Sequence, residues 1–169
     1  MDPGHSTAIF LDNLQQHKGI IYKIAFSYCQ HAEDRKDLVQ EIIIRLWRSA
    51  GNYSNQYQYS TWVYRISLNT AISFYRKENK RKKVTGELPD DIILMDDSSA
   101  RTETEARLRL LQQFISLLRE LDKAIMLLYL EEKTYREIAD IMGITETNVA
   151  TRISRIKKQM HQKFSNEKI

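Results

Sequence analysis

Two groups of side chains in this sequence have the types and spacings that engage nucleic acid. The first lies in TYREIADIMGITETNVATRISRIKK, residues 134–158. Thr147, Thr151 and Ser154 carry short hydroxyls suited to base edges, and Arg152, Arg155, Lys157, Lys158 and Lys163 carry charge suited to phosphates. The second group is aromatic. Tyr53, Tyr57, Tyr59, Trp62 and Tyr64 fall within twelve residues, shortly before the basic run RKENKRKK at Arg76–Lys83. Rings beside a phosphate track make a stacking platform, worth about 1–3 kcal/mol per base stacked on an aromatic side chain. The same rings suit a base swung out of a duplex. Trp62 also reads as a large ring anchoring a helix start in the core, so the loop tyrosines are the better binding candidates.

The elements that must position these groups are legible from capping signals. Thr134 and Glu137 form an S/T-x-x-E capping box, and Ile138, Ala139, Ile141 and Met142 give the helix that follows one apolar face. Gly143 stands where that helix must end in a left-handed residue. Ile144 and Thr145 then read as N' and N-cap of a second helix, with Val149 at N4 completing a hydrophobic staple. In that helix Val149, Ile153, Ile156 and Met160 face inward, which leaves Thr147, Ala150, Thr151, Ser154, Arg155 and Lys158 outward. Two helices joined by a tight turn, the second with a polar and basic outer face, make a helix-turn-helix able to enter a major groove. An ordinary helical hairpin with a solvated basic face shares these cues.

Upstream, Phe10, Leu14, Ile21, Ile24 and Tyr28 recur at helical spacing, as do Leu38, Ile42 and Leu46. The loop AGNYSNQYQYS interrupts the pattern, after which Ser60 or Thr61 caps a long helix from Trp62 towards Lys80. VTGELPDDIILMDDSSA, residues 84–100, breaks periodicity with Gly86, Pro89 and two Asp pairs, and reads as a flexible interdomain linker. Leu108, Leu111, Ile115 and Leu118 resume a helix, followed by Asp122–Tyr129 and the helix-turn-helix. The fold class expected is all-α, as two small helical bundles joined by a flexible linker.

Composition narrows the chemistry. The chain has 169 residues, 42% hydrophobic, and a net charge of +4. Residues 1–83 hold 13 Lys and Arg against 7 Asp and Glu, residues 84–100 hold 5 carboxylates and no base, and residues 101–169 hold 13 against 10. Two basic blocks flanking an acidic strip suggest polyanionic partners. Cys29 is the single cysteine, in an apolar helix pattern with Phe26 and Tyr28, and reads as a buried thiol. His5, His17, His31 and His161 lack ligand spacing, so no metal site is expected. No carboxylate cluster or nucleophile with a nearby base appears, so neither catalysis nor a cofactor is expected. The N-terminal segment has no basic region followed by an apolar run, and no stretch is long enough to span a membrane, so a cytoplasmic location without membrane insertion is expected.

DLVQEIIIRLW (Asp37–Trp47), STWVYRISLNTAISFYRKENKRKK (Ser60–Lys83) and the helix-turn-helix, in that order, resemble the second and fourth conserved regions of extracytoplasmic-function (ECF) sigma factors. These are bacterial transcription initiation factors that bind core RNA polymerase and direct it to promoters. The resemblance implies a region 2-like domain over residues 1–83, an acidic linker over 84–102, and a region 4-like helix-turn-helix domain over 103–169. It places Asp37, Gln40, Glu41 and Arg45 on the face that grips a coiled coil of the polymerase's largest subunit. These residues lie off the Leu38, Ile42, Leu46 stripe; without the resemblance they would read as an ordinary solvated face. Tyr53, Tyr64, Arg65 and Asn69 correspond to positions that capture a flipped base of the -10 element. Tyr59, Trp62, Arg76 and Lys77 join them from the aromatic and basic groups above.

Thr151, Ser154 and Arg155 fall where the family reads the -35 element, and Thr147, Arg152 and Lys158 join them from the outward face and its charge. Two positions depart from the family pattern. Ala150 stands where Lys or Arg is frequent, and Leu128 where Arg often precedes the tyrosine matched by Tyr129. The partners implied are core RNA polymerase, double-stranded promoter DNA and the melted -10 strand, with an anti-sigma factor as a family expectation. The acidic linker would thread through the polymerase towards the RNA exit path. A conventional helix-turn-helix regulator, binding an operator independently of polymerase, is the competing reading. It would leave the aromatic loop and basic helix unexplained.

Overall fold

The computed structural model describes residues 3–85 and 102–166, with side chains described for 7–85 and 102–165. The chain divides into two compact units, Met1–Lys77 and Glu78–Ile169. The linker expectation for residues 84–102 falls largely on 86–101, outside the described residues; Val84 and Thr85 are helical.

The first unit is built from α1 (Pro3–Tyr28), α2 (Ala32–Ser49), a short 3-10 turn (Ala50–Asn52) and the start of α3 (Tyr59–Thr85). The apolar spacing of α2 puts Leu38, Ile42 and Leu46 on one completely covered stripe. Ile21, Ile24 and Ala25 of α1 and Val63, Leu68, Ala71 and Ile72 of α3 are buried in the same unit. Tyr28 and Tyr75 meet edge to face at 6.2 Å, joining α1 to α3, and Phe10 meets Trp47 in the same way at 5.0 Å. Cys29 is buried, as its apolar setting predicts.

The sequence reading starts the long third helix at Trp62. The structure starts it at Tyr59 and carries it to Thr85. The amide of Trp62 donates to the carbonyl of Gln58 at 3.3 Å, so the first turn forms on backbone bonds ahead of the expected Ser60 or Thr61 cap.

The second unit contains α4 (Glu103–Leu117), α5 (Glu120–Leu130), α6 (Tyr135–Met142) and α7 (Glu146–Asn166). Thr102 and Glu105 form a capping box on α4, and Thr134 and Glu137 form another on α6. Gly143 ends α6 at φ 68°, the left-handed conformation that costs glycine nothing. The amides of Gly143 and Ile144 both donate to the carbonyl of Ala139, at 2.9 and 3.2 Å, which closes the tight turn. Thr145 Oγ1 then accepts from the amide of Asn148 at 3.1 Å and caps α7. Val149, Ile153 and Ile156 are wholly covered and Met160 is half-buried, so the stripe read from the sequence seats the first half of α7. Phe114, Met126 and Ile156 form a further apolar cluster with Ile115, Leu118, Tyr129 and Met160 against it.

Among the described residues there is no strand, no group of residues able to hold a metal ion, and no helix long and apolar enough to cross a membrane.

Candidate nucleic-acid and polymerase interfaces

Three surfaces carry the residues singled out by the sequence. The first is the solvent side of α2. Asp37, Gln40, Glu41 and Arg45 are all exposed, opposite the buried stripe. Glu41 Oε1 accepts from Nε and Nη2 of Arg45 at 3.1 and 2.9 Å, an i,i+4 pair that fixes both side chains along the helix. Ile44, 48% exposed, stands among these polar groups. It was not singled out by sequence reasoning, although its place off the buried stripe was available as a signal. Glu41, Ile44, Arg45 and Arg48 border a hollow whose far side is Ile66, Asn69 and Thr70 of α3.

The second surface is the aromatic loop and the α3 face that follows it. Tyr53, Tyr59 and Trp62 form a triangle of rings with centroids 5.1–5.4 Å apart. The Tyr53 hydroxyl donates to the Tyr57 carbonyl at 2.8 Å, which draws the loop together. Arg65 lies over the Tyr57 ring at 5.0 Å, and His17 of α1 meets Tyr59 at 5.1 Å. Burial raises the Tyr59 phenol above its ordinary value, with Tyr53 adding to the shift. Trp62 is half-buried, so its ring both anchors the helix and borders the surface. Helical spacing then places Arg65, Asn69 and Arg76 in line with Trp62 on one face of α3. Asn69, Arg76 and Lys77 are exposed and Arg65 is half-buried. Tyr64 points the other way and is buried among the core residues.

The third surface is α7. Thr147, Thr151, Ser154, Arg155 and Lys158 are exposed on the side away from Val149, Ile153 and Ile156, and Arg152 is half-buried at the flank of that stripe. A shallow hollow is lined by Thr145, Thr147, Asn148, Thr151, Arg152 and Arg155. Lys157 donates to the Tyr129 hydroxyl at 2.6 Å and sits 4.3 Å from its ring centre, and that hydrogen bond raises the Lys157 pKa. Tyr129 thus braces α7 from α5. Leu128 beside it is buried, so the departure from the family pattern there places a core side chain where an arginine is frequent. Asp122, which sequence reasoning passed over, ion-pairs with both Arg152 and Arg155. The partners are 30 and 33 residues away, and no local pattern announces them.

The Sigma-70 region 2 family matches residues 14–81, and the Sigma-70 region 4 family matches residues 108–160. The chain is 29% identical over 160 residues to the RNA polymerase sigma factor SigV of Bacillus subtilis, covering 95% of this chain and 93% of that one. It is 24% identical to the ECF RNA polymerase sigma factor SigW of the same organism, over 92% of this chain and 88% of the relative. Among solved structures, the sigma factor RpoE of Bartonella quintana, in complex with the anti-sigma factor NepR, superposes with a TM-score of 0.68 at 18% identity, over 90% of this chain and 94% of that one. CnrH, in complex with the cytosolic domain of CnrY, gives a TM-score of 0.66 at 17% identity, covering 95% and 90%. The region 2 match takes in the aromatic loop and basic helix that a conventional operator-binding regulator would leave without a role. With regions 2 and 4 both present and in order, the chain belongs to the sigma-70 family as an ECF sigma factor, which binds core RNA polymerase and directs it to promoters.

Proposed function

We propose that the three surfaces divide the work of a sigma factor as follows. The α2 face of Asp37, Gln40, Glu41 and Arg45, with Ile44 as an apolar anchor, docks on core polymerase. Tyr53, Tyr59 and Trp62 receive an unstacked base of the -10 strand. Arg65, Asn69, Arg76 and Lys77 follow the strand's backbone and edges along α3, and Tyr64 supports the site from the core. Thr147, Thr151, Ser154 and Arg155 face the -35 major groove beside Arg152, with Lys158 on its phosphates. Residues 1–83 form the region 2 domain and 103–169 the region 4 domain, with 84–102 as the acidic linker between them. Chemistry is left to the polymerase, and the protein works in the cytoplasm. An anti-sigma factor holds it in reserve; the RpoE structure contains a complex of that kind.

The observation that carries this reading is the ring triangle at the head of a helix face bearing Arg65, Asn69 and Arg76. Stacking there favours single-stranded over paired bases, because only an unstacked base exposes its faces. Replacing Tyr53 with Ala should impair strand opening more than initial duplex binding by the holoenzyme. Permanganate footprinting beside a filter-binding assay separates the two steps, and equal loss of both, or of neither, contradicts the assignment.

A further inference from the structure

Asp122 stands in the first turn of α5 with only 10% of its side chain exposed. Its Oδ1 accepts from Nη1 of Arg152 at 2.7 Å and its Oδ2 from Nη2 of Arg155 at 2.8 Å. Arg152 is held a second time, its Nε donating to Oδ1 of Asn148 at 2.8 Å. One carboxylate therefore ties two guanidinium groups of α7 to a different helix. Val149, Ile153 and Ile156 seat the apolar face of α7, and the ion pairs lie outside that stripe.

The consequences are electrostatic and geometric. Two cations facing DNA are offset by an anion in direct contact with both, so their joint pull on phosphate is reduced. Arg152 is held at two points and Arg155 at one, and both border the hollow shared with Thr147 and Thr151. Arg155 remains 52% exposed, so tying it back does not withdraw it from the surface. Phosphate contacts hold a protein on any sequence, whereas a fixed donor aimed at base edges distinguishes sequences.

We propose that Asp122 is a positioning residue for -35 recognition, which holds Arg152 and Arg155 as directional donors and suppresses their indiscriminate attraction to phosphate. It raises sequence preference at the expense of general DNA affinity. The proposal rests on α7 being the helix that reads the -35 element.

The test uses holoenzyme assembled from core polymerase and the full chain, on a promoter fragment selected from genomic DNA by the wild-type holoenzyme. The comparison is the same fragment with its -35 segment scrambled, each across a salt series. Asp122→Asn keeps the shape and removes the charge. It should bind the scrambled fragment roughly tenfold more tightly, lose roughly tenfold of the discrimination between the fragments, and steepen the salt dependence by about one to two phosphate contacts. Asp122→Glu, which keeps the charge, should stay close to wild type in salt slope.

Unchanged discrimination and slope in Asp122→Asn would overturn the proposal. So would parallel weakening on both fragments, or loss of amide protection in α7, because either marks Asp122 as a support for the fold alone. Arg155→Ala and Arg152→Ala in the wild-type background test the underlying reading separately. If both bind the two fragments as wild type does, α7 is not the -35 helix and the proposal falls with that assignment.

Discussion

Glu132 has a φ of 59°, in the left-handed region where a side chain is strained. The turn out of α5 imposes this conformation. The Glu132 amide donates to the Tyr129 carbonyl at 3.0 Å, and the Lys133 amide to the Leu128 carbonyl at 3.1 Å. A Cβ there costs about 1–2 kcal/mol, partly offset by the freedom glycine loses on folding. Glu132→Gly should therefore raise the unfolding free energy of the second unit by roughly 0.5–1 kcal/mol, read as a higher denaturant midpoint; an unchanged or lower midpoint contradicts it. The sequence EEKT hides this turn because it contains neither Gly nor Asn. By contrast Gly143, also left-handed, was legible at once. Glu137 shows the other side of residue-scale control. The Thr134 amide donates to its Oε2 at 2.8 Å and the Thr134 hydroxyl at 2.9 Å, and these bonds, with Lys133 adding to them, hold its carboxyl below the ordinary glutamate value. A folded-state pKa that is lowered contributes stability above the unfolded value and loses it as pH falls through the folded one. Amide exchange in α6 should quicken as pH drops below the ordinary carboxylate range, after correction for intrinsic rates. Glu137→Gln should remove that dependence; an identical pH profile in the variant contradicts the role of the cap.

At the scale of elements, the helix-turn-helix owes its geometry to short signals and its stability to burial. The Thr134 box, the Gly143 end and the Thr145 cap are local in sequence, which is why each could be placed before any fold was known. Ile153 is completely covered midway along α7, between Val149 and Ile156. Ile153→Ala should cost about 2–5 kcal/mol through lost burial and the cavity left behind. Circular dichroism during urea unfolding would show it as an earlier second-unit transition, and a loss below about 1 kcal/mol would mean that α7 is held mainly by its polar contacts. The start of α3 was less legible. Ser60 and Thr61 are good capping residues, yet backbone bonds and the rings of Tyr53, Tyr59 and Trp62 carry the helix back to Tyr59. The helix begins three residues before the expected Trp62, and a capping residue alone does not fix a helix end closely. Phe114 makes the same point in α4. The expected stripe of Leu108, Leu111, Ile115 and Leu118 has its most buried neighbour at Phe114, while Leu108 is exposed. A sparse contact set on α4 leaves the periodicity of the sequence broader than the face it buries.

At the scale of the whole molecule, the chain forms two units, each with its own exposed charged and aromatic side chains. The all-α class and the order of the functional segments were readable because helical periodicity, caps and basic runs are local patterns. The double ion pair of Asp122 was not, because its partners lie 30 and 33 residues further along the chain. The central claim is that promoter-directed initiation depends on this chain joined to core polymerase through the α2 face. Glu41 is the most informative residue on that face, since it is exposed and its charge already pairs with Arg45. Glu41→Lys places like charges side by side and reverses the sign the face presents to its partner. The deciding measurement is run-off transcription in a purified system, with core RNA polymerase and a promoter fragment selected by the wild-type holoenzyme. The account predicts a defined transcript only when the protein is added, and loss of most of it with Glu41→Lys at protein levels where the wild type saturates. Equal transcript from core polymerase alone, or from the Glu41→Lys variant at those levels, would contradict it.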